Sequence, residues 1–331
     1  MYNSLSYKTK QFFWLIIKLS IVIGCGYFIY HKLIENEHLH FSAFYLNLTK
    51  NDVFSTQNTC VLVLFTIFNW LFEILKWKSL VNFIKKTPFF EASKQSLASL
   101  TTSLITPNRI GEYGAKALYF NKTHRKHILG LNLVGNFYQM LMTMIFGIIG
   151  FSYIVYNHNV EIDYYRIMRF LLLGLIVISA FFFGAKHFKY RGYSAEKARN
   201  YIKKIPLNIN LKACIYSFLR FIVFSHQFYF LLLIFKVDIS YVDAISGITS
   251  MYLIASIVPM LSLFDVVLKG TVAVWVFTYF NIEPITILSV TTLMWLFNFV
   301  IPAIIGSYFV LIFKAIYLFY FEIKGTCFLS A

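Results

Sequence analysis

The chain has 331 residues, of which 59% are hydrophobic and only 13% charged, and 30 Lys and Arg against 14 Asp and Glu give a formal net charge of +16. With its positive mean hydropathy, that balance excludes an ordinary water-soluble domain. The basic charge is divided among separate segments instead of gathered on one folded domain, which argues against a nucleic-acid partner.

The apolar residues are blocked into long runs. About 20 consecutive apolar residues let a helix cross ~30 Å of hydrocarbon with its backbone polar groups satisfied. Barrel strands would alternate over ~10 residues, and these runs do not. In chain order, 12–31 (FFWLIIKLSIVIGCGYFIYH), 60–77, 128–156, 168–187, 212–236 and 285–313 predict six full transmembrane helices. Lys8 and Lys10 before the first run resemble a signal peptide, but no small-x-small cleavage site follows, so a retained first span is expected. Two shorter stretches, 96–106 and 244–258, run into Pro107 and Pro259 and predict re-entrant or broken helices. The expected fold class is therefore an all-α polytopic membrane protein. A single integral membrane domain covers 1–331, with halves 1–187 and 212–331 joined by a basic loop, 188–211. Within that loop, RGYSAEKARNYIKKIP (191–206) is basic and mildly amphipathic, and is expected to lie on the anionic cytoplasmic leaflet.

Orientation follows from the positive-inside bias. Lys8 and Lys10, nine basic residues in 78–127, eight in 186–212, and Lys314 with Lys324 fall on one side of such a topology; Lys32, Lys50, Arg166 and Lys269 fall on the other. Both termini are expected in the cytoplasm, with the chain multi-pass in the cell (inner) membrane.

Signatures of soluble catalysis are missing: there is no P-loop, GxGxxG, GxSxG or HExxH. Cys25, Cys60, Cys214 and Cys327 lack metal-ligand or CxxC spacing, so no disulfide is expected. His38 and His40 read as solvated loop residues. No cofactor or metal is expected. Aromatic residues, 20% of the chain, read as interfacial belts and lipid-facing packing.

One stretch departs from its surroundings. SLITPNRIGEYGAKALYF (103–120) places Arg109, Glu112 and Lys116 among Pro107, Gly111 and Gly114, directly after an apolar run. SIVPMLSLFDVVLKG (256–270) can be laid on it: a proline, an acid five or six residues later, a lysine four beyond. Glu112 and Lys116 thus match Asp265 and Lys269, each pair at the i, i+4 spacing that favours an ion pair. By the span count the two copies face opposite sides, the pattern of inverted-topology repeats whose broken helices form substrate paths.

NWLFEILKW (69–77), TPNRIGEYGAKAL (106–118) and LRFIVFSHQFYFLL (219–232) resemble the lysylphosphatidylglycerol synthase transmembrane region family, or flippase-like domain family, across nearly the whole chain. Its most specific element is the core formed here by Pro107, Arg109, Gly111 and Glu112. The resemblance implies a multi-pass protein that moves an aminoacylated phospholipid between leaflets, or accompanies glycosyl transfer onto polyprenyl-linked lipids. The second motif departs from the pattern, with Asp265 in place of glutamate and no glycine cluster. The likeness extends to the membrane domain alone, with no aminoacyl-transferase domain.

A charge near the bilayer centre costs ~2.5–3.5 kcal/mol on insertion scales, so buried charged groups normally face protein, water or ligand. Glu73 and Lys76 are expected at the cytoplasmic end of the second span, and Arg220 a few residues into the fifth. Lys76, Lys186 and Lys236 are expected to snorkel to the headgroups. The candidate substrate-binding residues are Pro107, Arg109, Gly111, Glu112, Lys116, Glu73, Arg220, Asp265 and Lys269. Arg109 would meet a phosphate and Glu112 would hold Arg109; Tyr113 and Tyr119 flank the motif. The expected partners are membrane lipids with anionic or zwitterionic headgroups, and the expected activity is lipid translocation. The alternative is a membrane-embedded transferase on a lipid-linked substrate with Glu112 or Asp265 as general base, or a scaffold subunit partnering such an enzyme. Translocation is favoured because no paired carboxylates are expected at a shared depth.

Overall fold

The computed structural model describes residues 48–104, 106, 109–158, 204–257 and 265–313, with positions 16, 19, 20, 23, 27 and 46; of residues 265–267 it describes the backbone alone. The rest of the run 12–31, the run 168–187, loop residues 188–203, Lys186, His38, His40, Pro107 and Pro259 lie outside the described residues. The described residues form helices and connecting turns, with no strand among them.

The helices are α1 Thr56–Val81, α2 Phe89–Leu104, α3 Ile110–Leu118, α4 Lys122–Asn157, α5 Leu207–Ile234, α6 Tyr241–Ile257, α7 Asp265–Thr278 and α8 Pro284–Ile312. Four of them, α1, α4, α5 and α8, are long and apolar enough to cross a membrane. They contain the predicted runs 60–77 and 128–156 whole, and 212–236 and 285–313 to within two residues of their ends. The predicted short stretches become α2 and α6, of 16 and 17 residues. Each described part of the chain thus reads long, short, short, long.

Helix ends shift two expectations. Ser55 caps α1, its hydroxyl accepting from the Asn58 N–H, but the far end runs on to Val81, so Glu73 and Lys76 sit inside the helix and not at its end. Helix α5 starts at Leu207, within the predicted loop 188–211, which places Arg220 at mid-helix instead of near the start.

Lipid tails are as apolar as leucine, so helices in a bilayer associate through close packing of small residues and through interhelical hydrogen bonds. Both operate here. Helices α1 and α5 pack antiparallel, with Phe65 near Phe230 and Phe72 near Tyr216, and Gln227 donates to Thr66 Oγ1 at 3.1 Å between them. Helix α2 runs antiparallel to α8, and Thr101 Oγ1 donates to the Ala303 carbonyl at 2.9 Å. Helix α4 likewise opposes α6. At the last two crossings a glycine lets backbones meet: a Cβ on Gly306 would strike the Leu97 carbonyl and Thr101, and one on Gly147 would strike Leu253 and the Thr249 carbonyl.

Helix α8 carries a local irregularity with a clear cause. Pro302 has no N–H to give Asn298 four residues before it, and the ladder widens to a π turn over Leu296–Val300. The released Asn298 carbonyl is taken instead by Trp70 Nε1 at 3.1 Å. The outer surface is apolar, with Leu64, Ile67 and Phe68 of α1, Phe137 and Ile148 of α4 and Ile304 of α8 exposed, as a surface facing lipid requires.

Candidate functional site

All eight described helices contribute to one cavity of about 680 Å³ inside this apolar bundle. Its walls include Asn69 and Glu73 from α1, Ser96 from α2, Glu112 and Lys116 from α3, Gln139 from α4, Arg220 from α5, Tyr252 from α6, Lys269 from α7 and Asn298 from α8, with Arg109 at the head of α3.

The turn from α2 into α3 explains how Arg109 arrives there. Thr106 Oγ1 accepts the Gly111 N–H at 2.8 Å, and Thr102 Oγ1 donates to the Gly111 carbonyl at 3.1 Å. A Cβ at Gly111 would strike the Thr102 carbonyl, so this residue lets α3 turn back on α2. Arg109 takes the left-handed conformation, φ 56° and ψ 27°, which costs a residue with a Cβ ~1–2 kcal/mol. Its side chain is 47% exposed, with Nη2 3.4 Å from Glu112 Oε2.

Two carboxylate centres sit in the walls. Glu112 Oε1 accepts from Lys116 Nζ at 2.8 Å. The same Nζ donates to Asn132 Oδ1 at 2.7 Å and lies 4.4 Å from the Trp77 ring centroid. Lys116 is only 2% exposed, so the expected lateral pair is a buried one. Glu73 Oε2 accepts from Lys76 Nζ at 2.7 Å and from Arg220 Nη1 at 2.6 Å. Arg220 Nε also donates to Asn69 Oδ1 at 3.0 Å.

A polar line leads on from the second centre. Asn69 Nδ2 donates to Asn298 Oδ1 at 2.8 Å, and Asn298 Nδ2 donates to Gln227 Oε1 at 2.8 Å. It thereby joins α1, α5 and α8 at their crossing.

Six of the nine candidate residues line this cavity: Arg109, Glu112, Lys116, Glu73, Arg220 and Lys269. Gly111 shapes the turn beside it. Pro107 lies outside the described residues; Asp265 opens α7, but its side chain is not described.

Two expectations are corrected. Lys76 does not snorkel: it is 2% exposed and held by Glu73, because an i, i+3 carboxylate inside the bundle offers it a partner. Two carboxylates do share one cavity, Glu73 and Glu112; their separation of 39 positions hid it. Glu112 meets both cations expected beside it, Lys116 more closely than Arg109, because the helical i, i+4 geometry aligns the lysine, whereas Arg109 stands before the first turn.

Sequence reasoning passed over Asn69, Ser96, Asn132, Gln139, Gln227 and Asn298. Their common signal is an amide or hydroxyl inside an apolar run, where an unpartnered polar group is costly. Among the described residues no three His, Cys, Asp or Glu side chains gather as a metal site would require. No known protein family matches the chain, and no curated protein matches it.

Proposed function

We propose that the chain is an integral membrane protein that binds a phospholipid or polyprenyl-linked lipid by its phosphate in the central cavity and moves it between leaflets. The observation that carries this reading is the cavity itself: cationic and polar side chains from every described helix face one space inside a bundle whose exterior is apolar. Charges retained at such a place are costly unless paired, solvated or bound to a ligand. In this reading Arg109 contacts the phosphate, Glu112 steadies Arg109, and Glu73, Arg220, Lys116 and Lys269 line the path.

The packing supports an inverted repeat. Thr249 and Leu253, which receive Gly147, follow Leu97 and Thr101, which receive Gly306, by 152 positions, and Pro259 follows Pro107 by the same offset. The α4 with α6 and α8 with α2 contacts are thus exchanged images of each other, while α1 and α5 pair directly. Antiparallel pairing of equivalent helices is what a two-fold axis in the membrane plane produces. With 12–31 and 168–187 as further spans, the count is six, and both termini face the cytoplasm of the inner membrane. Cysteine labelling of intact cells at position 200 but not 45 would overturn that orientation.

Glu112→Gln tests the function. The change keeps shape and removes charge, so lipid exposure on the far leaflet of proteoliposomes should fall while the protein still inserts. Normal translocation per folded molecule, with lowered thermal stability, would make Glu112 a structural pin.

The second reading, a membrane-embedded transferase or the scaffold partner of one, is favoured by the two carboxylates in one cavity. Each already accepts a lysine at 2.7–2.8 Å. A carboxylate so engaged is a poor general base, so translocation is the preferred reading.

A further inference from the structure

Resting on that reading of the cavity, the charge inventory goes further and selects a headgroup. Glu73 is balanced by Lys76 and Glu112 by Lys116, each pair in direct contact at 2.7 and 2.8 Å and each lysine 2% exposed. These two pairs are neutral units of the wall. Arg109 and Arg220 are left over, and both line the cavity. Arg220 engages Nε and Nη1, the latter on a carboxylate that Lys76 already balances. Arg109 makes its one described ion pair at 3.4 Å to a carboxylate that Lys116 already balances. Lys269, on the same wall, is left out of the count. Two guanidinium groups facing one cavity draw a counter-anion to it, Arg220 the more strongly because its side chain is only 19% exposed, and the planar fork of arginine fits phosphoryl oxygens two at a time.

An independent feature points the same way. Ser96 is 3% exposed and lines the cavity, and its Oγ has no hydrogen-bond partner in the structure. A buried hydroxyl is normally satisfied, and this one belongs to a residue of the cavity wall. The aromatic wall of Phe221, Phe224, Tyr252 and Phe299 supplies apolar surface beside the charged one, as the lipid portion of an amphiphile needs.

We propose that the cavity takes a lipid whose headgroup carries two negative charges, a terminal phosphomonoester or a diphosphate, with Arg109 and Arg220 gripping its phosphoryl oxygens and Ser96 donating to it. A zwitterionic or monoanionic phosphodiester leaves at least one guanidinium uncompensated, and an aminoacylated lipid adds a further cation.

Competition in native mass spectrometry tests this with the full chain in uncharged detergent. Phosphatidic acid, a prenyl diphosphate lipid, phosphatidylglycerol and phosphatidylethanolamine are offered together at equal concentration. The phosphomonoester and diphosphate lipids should be retained roughly tenfold over the other two, the factor that one lost charge-assisted contact represents. Arg109→Gly, which suits the left-handed backbone, and Arg220→Gln should each bring that preference close to parity. Arg220→Lys, which keeps the charge and loses the fork, should fall between. Equal retention of phosphatidylglycerol or phosphatidylethanolamine overturns the charge assignment while leaving the lipid site standing. Retention of no lipid by folded protein overturns the lipid reading itself. If inorganic diphosphate alone raises the melting temperature as much as its lipid does, the ligand is a soluble phosphoryl compound and the lipid assignment fails.

Discussion

Arg220 Nη1 lies 2.6 Å from Glu73 Oε2, joining α5 to α1 across 147 positions of chain. Glu73 also holds Lys76, so the carboxylate has two cations and each cation one carboxylate. Removing one partner of a buried pair costs ~3–5 kcal/mol because the other charge is stranded. Glu73→Gln strands two cations and Arg220→Gln strands none. Thermal unfolding in detergent should therefore show Glu73→Gln as clearly the more destabilising; the reverse order would mean that Arg220, and not the carboxylate, is the centre of the network.

Gly306 and Gly147 should be intolerant of side chains. A Cβ at either meets backbone of the facing helix, and overpacking of this kind costs ~1–3 kcal/mol. Alanine at each position should lower the melting temperature comparably, since the two crossings are alike. Gly114→Ala is the control: nothing lies within 4 Å of a Cβ there, and replacing an exposed helical glycine should stabilise by up to ~1 kcal/mol.

Trp70 and Pro302 should be energetically coupled. Trp70→Phe orphans the buried Asn298 carbonyl at a cost of ~1–3 kcal/mol. In a Pro302→Ala background the restored backbone N–H can reach that carbonyl, and the same tryptophan change should cost much less. A double-mutant cycle reads the difference; strict additivity would show that the tryptophan bond does not replace the missing one.

Lys76 and Lys116 should resist a water-soluble acylating reagent. Both are 2% exposed, whereas Lys85 and Lys86 in the following turn are exposed. Peptide mapping after brief treatment of the folded protein should find acylation at the latter two alone, and acylation of Lys76 at a similar rate would restore the snorkelling picture.

Long apolar runs were legible in the sequence because the bilayer demands them: four of the six predicted spans correspond to helices of sufficient length, and the other two fall outside the described residues. The break between α2 and α3 was legible too, since Pro107, Gly111 and a charged triplet have no place in a straight span. What escaped was lateral. Nothing in a one-dimensional pattern says that Glu73 and Glu112 share a cavity, or that Asn69, Gln227 and Asn298, from three distant runs, complete one another's hydrogen bonds. Lys76 misled because its stem and charge fit the interface equally well; the choice was made by the i, i+3 carboxylate and by the neighbouring helix that seals them in. The π turn was hidden for a related reason, as its stabilising partner, Trp70, is 228 positions away.

Helix α4 has 36 residues, which makes it ~54 Å long at 1.5 Å per residue. Even leaning by ~40°, the upper end of observed tilts, it spans ~41 Å against a hydrocarbon layer of ~30 Å. Its opening, Lys122 to His127, is polar enough to stand among headgroups, and at its other end Tyr153 and His158 meet Asp243. Between them Leu133, Phe137, Met144 and Ile149 are exposed and need hydrocarbon around them. The acyl-chain length of the host lipid is therefore a coordinate of this fold: thin bilayers will uncover apolar turns of α4, and thicker ones will let it stand upright.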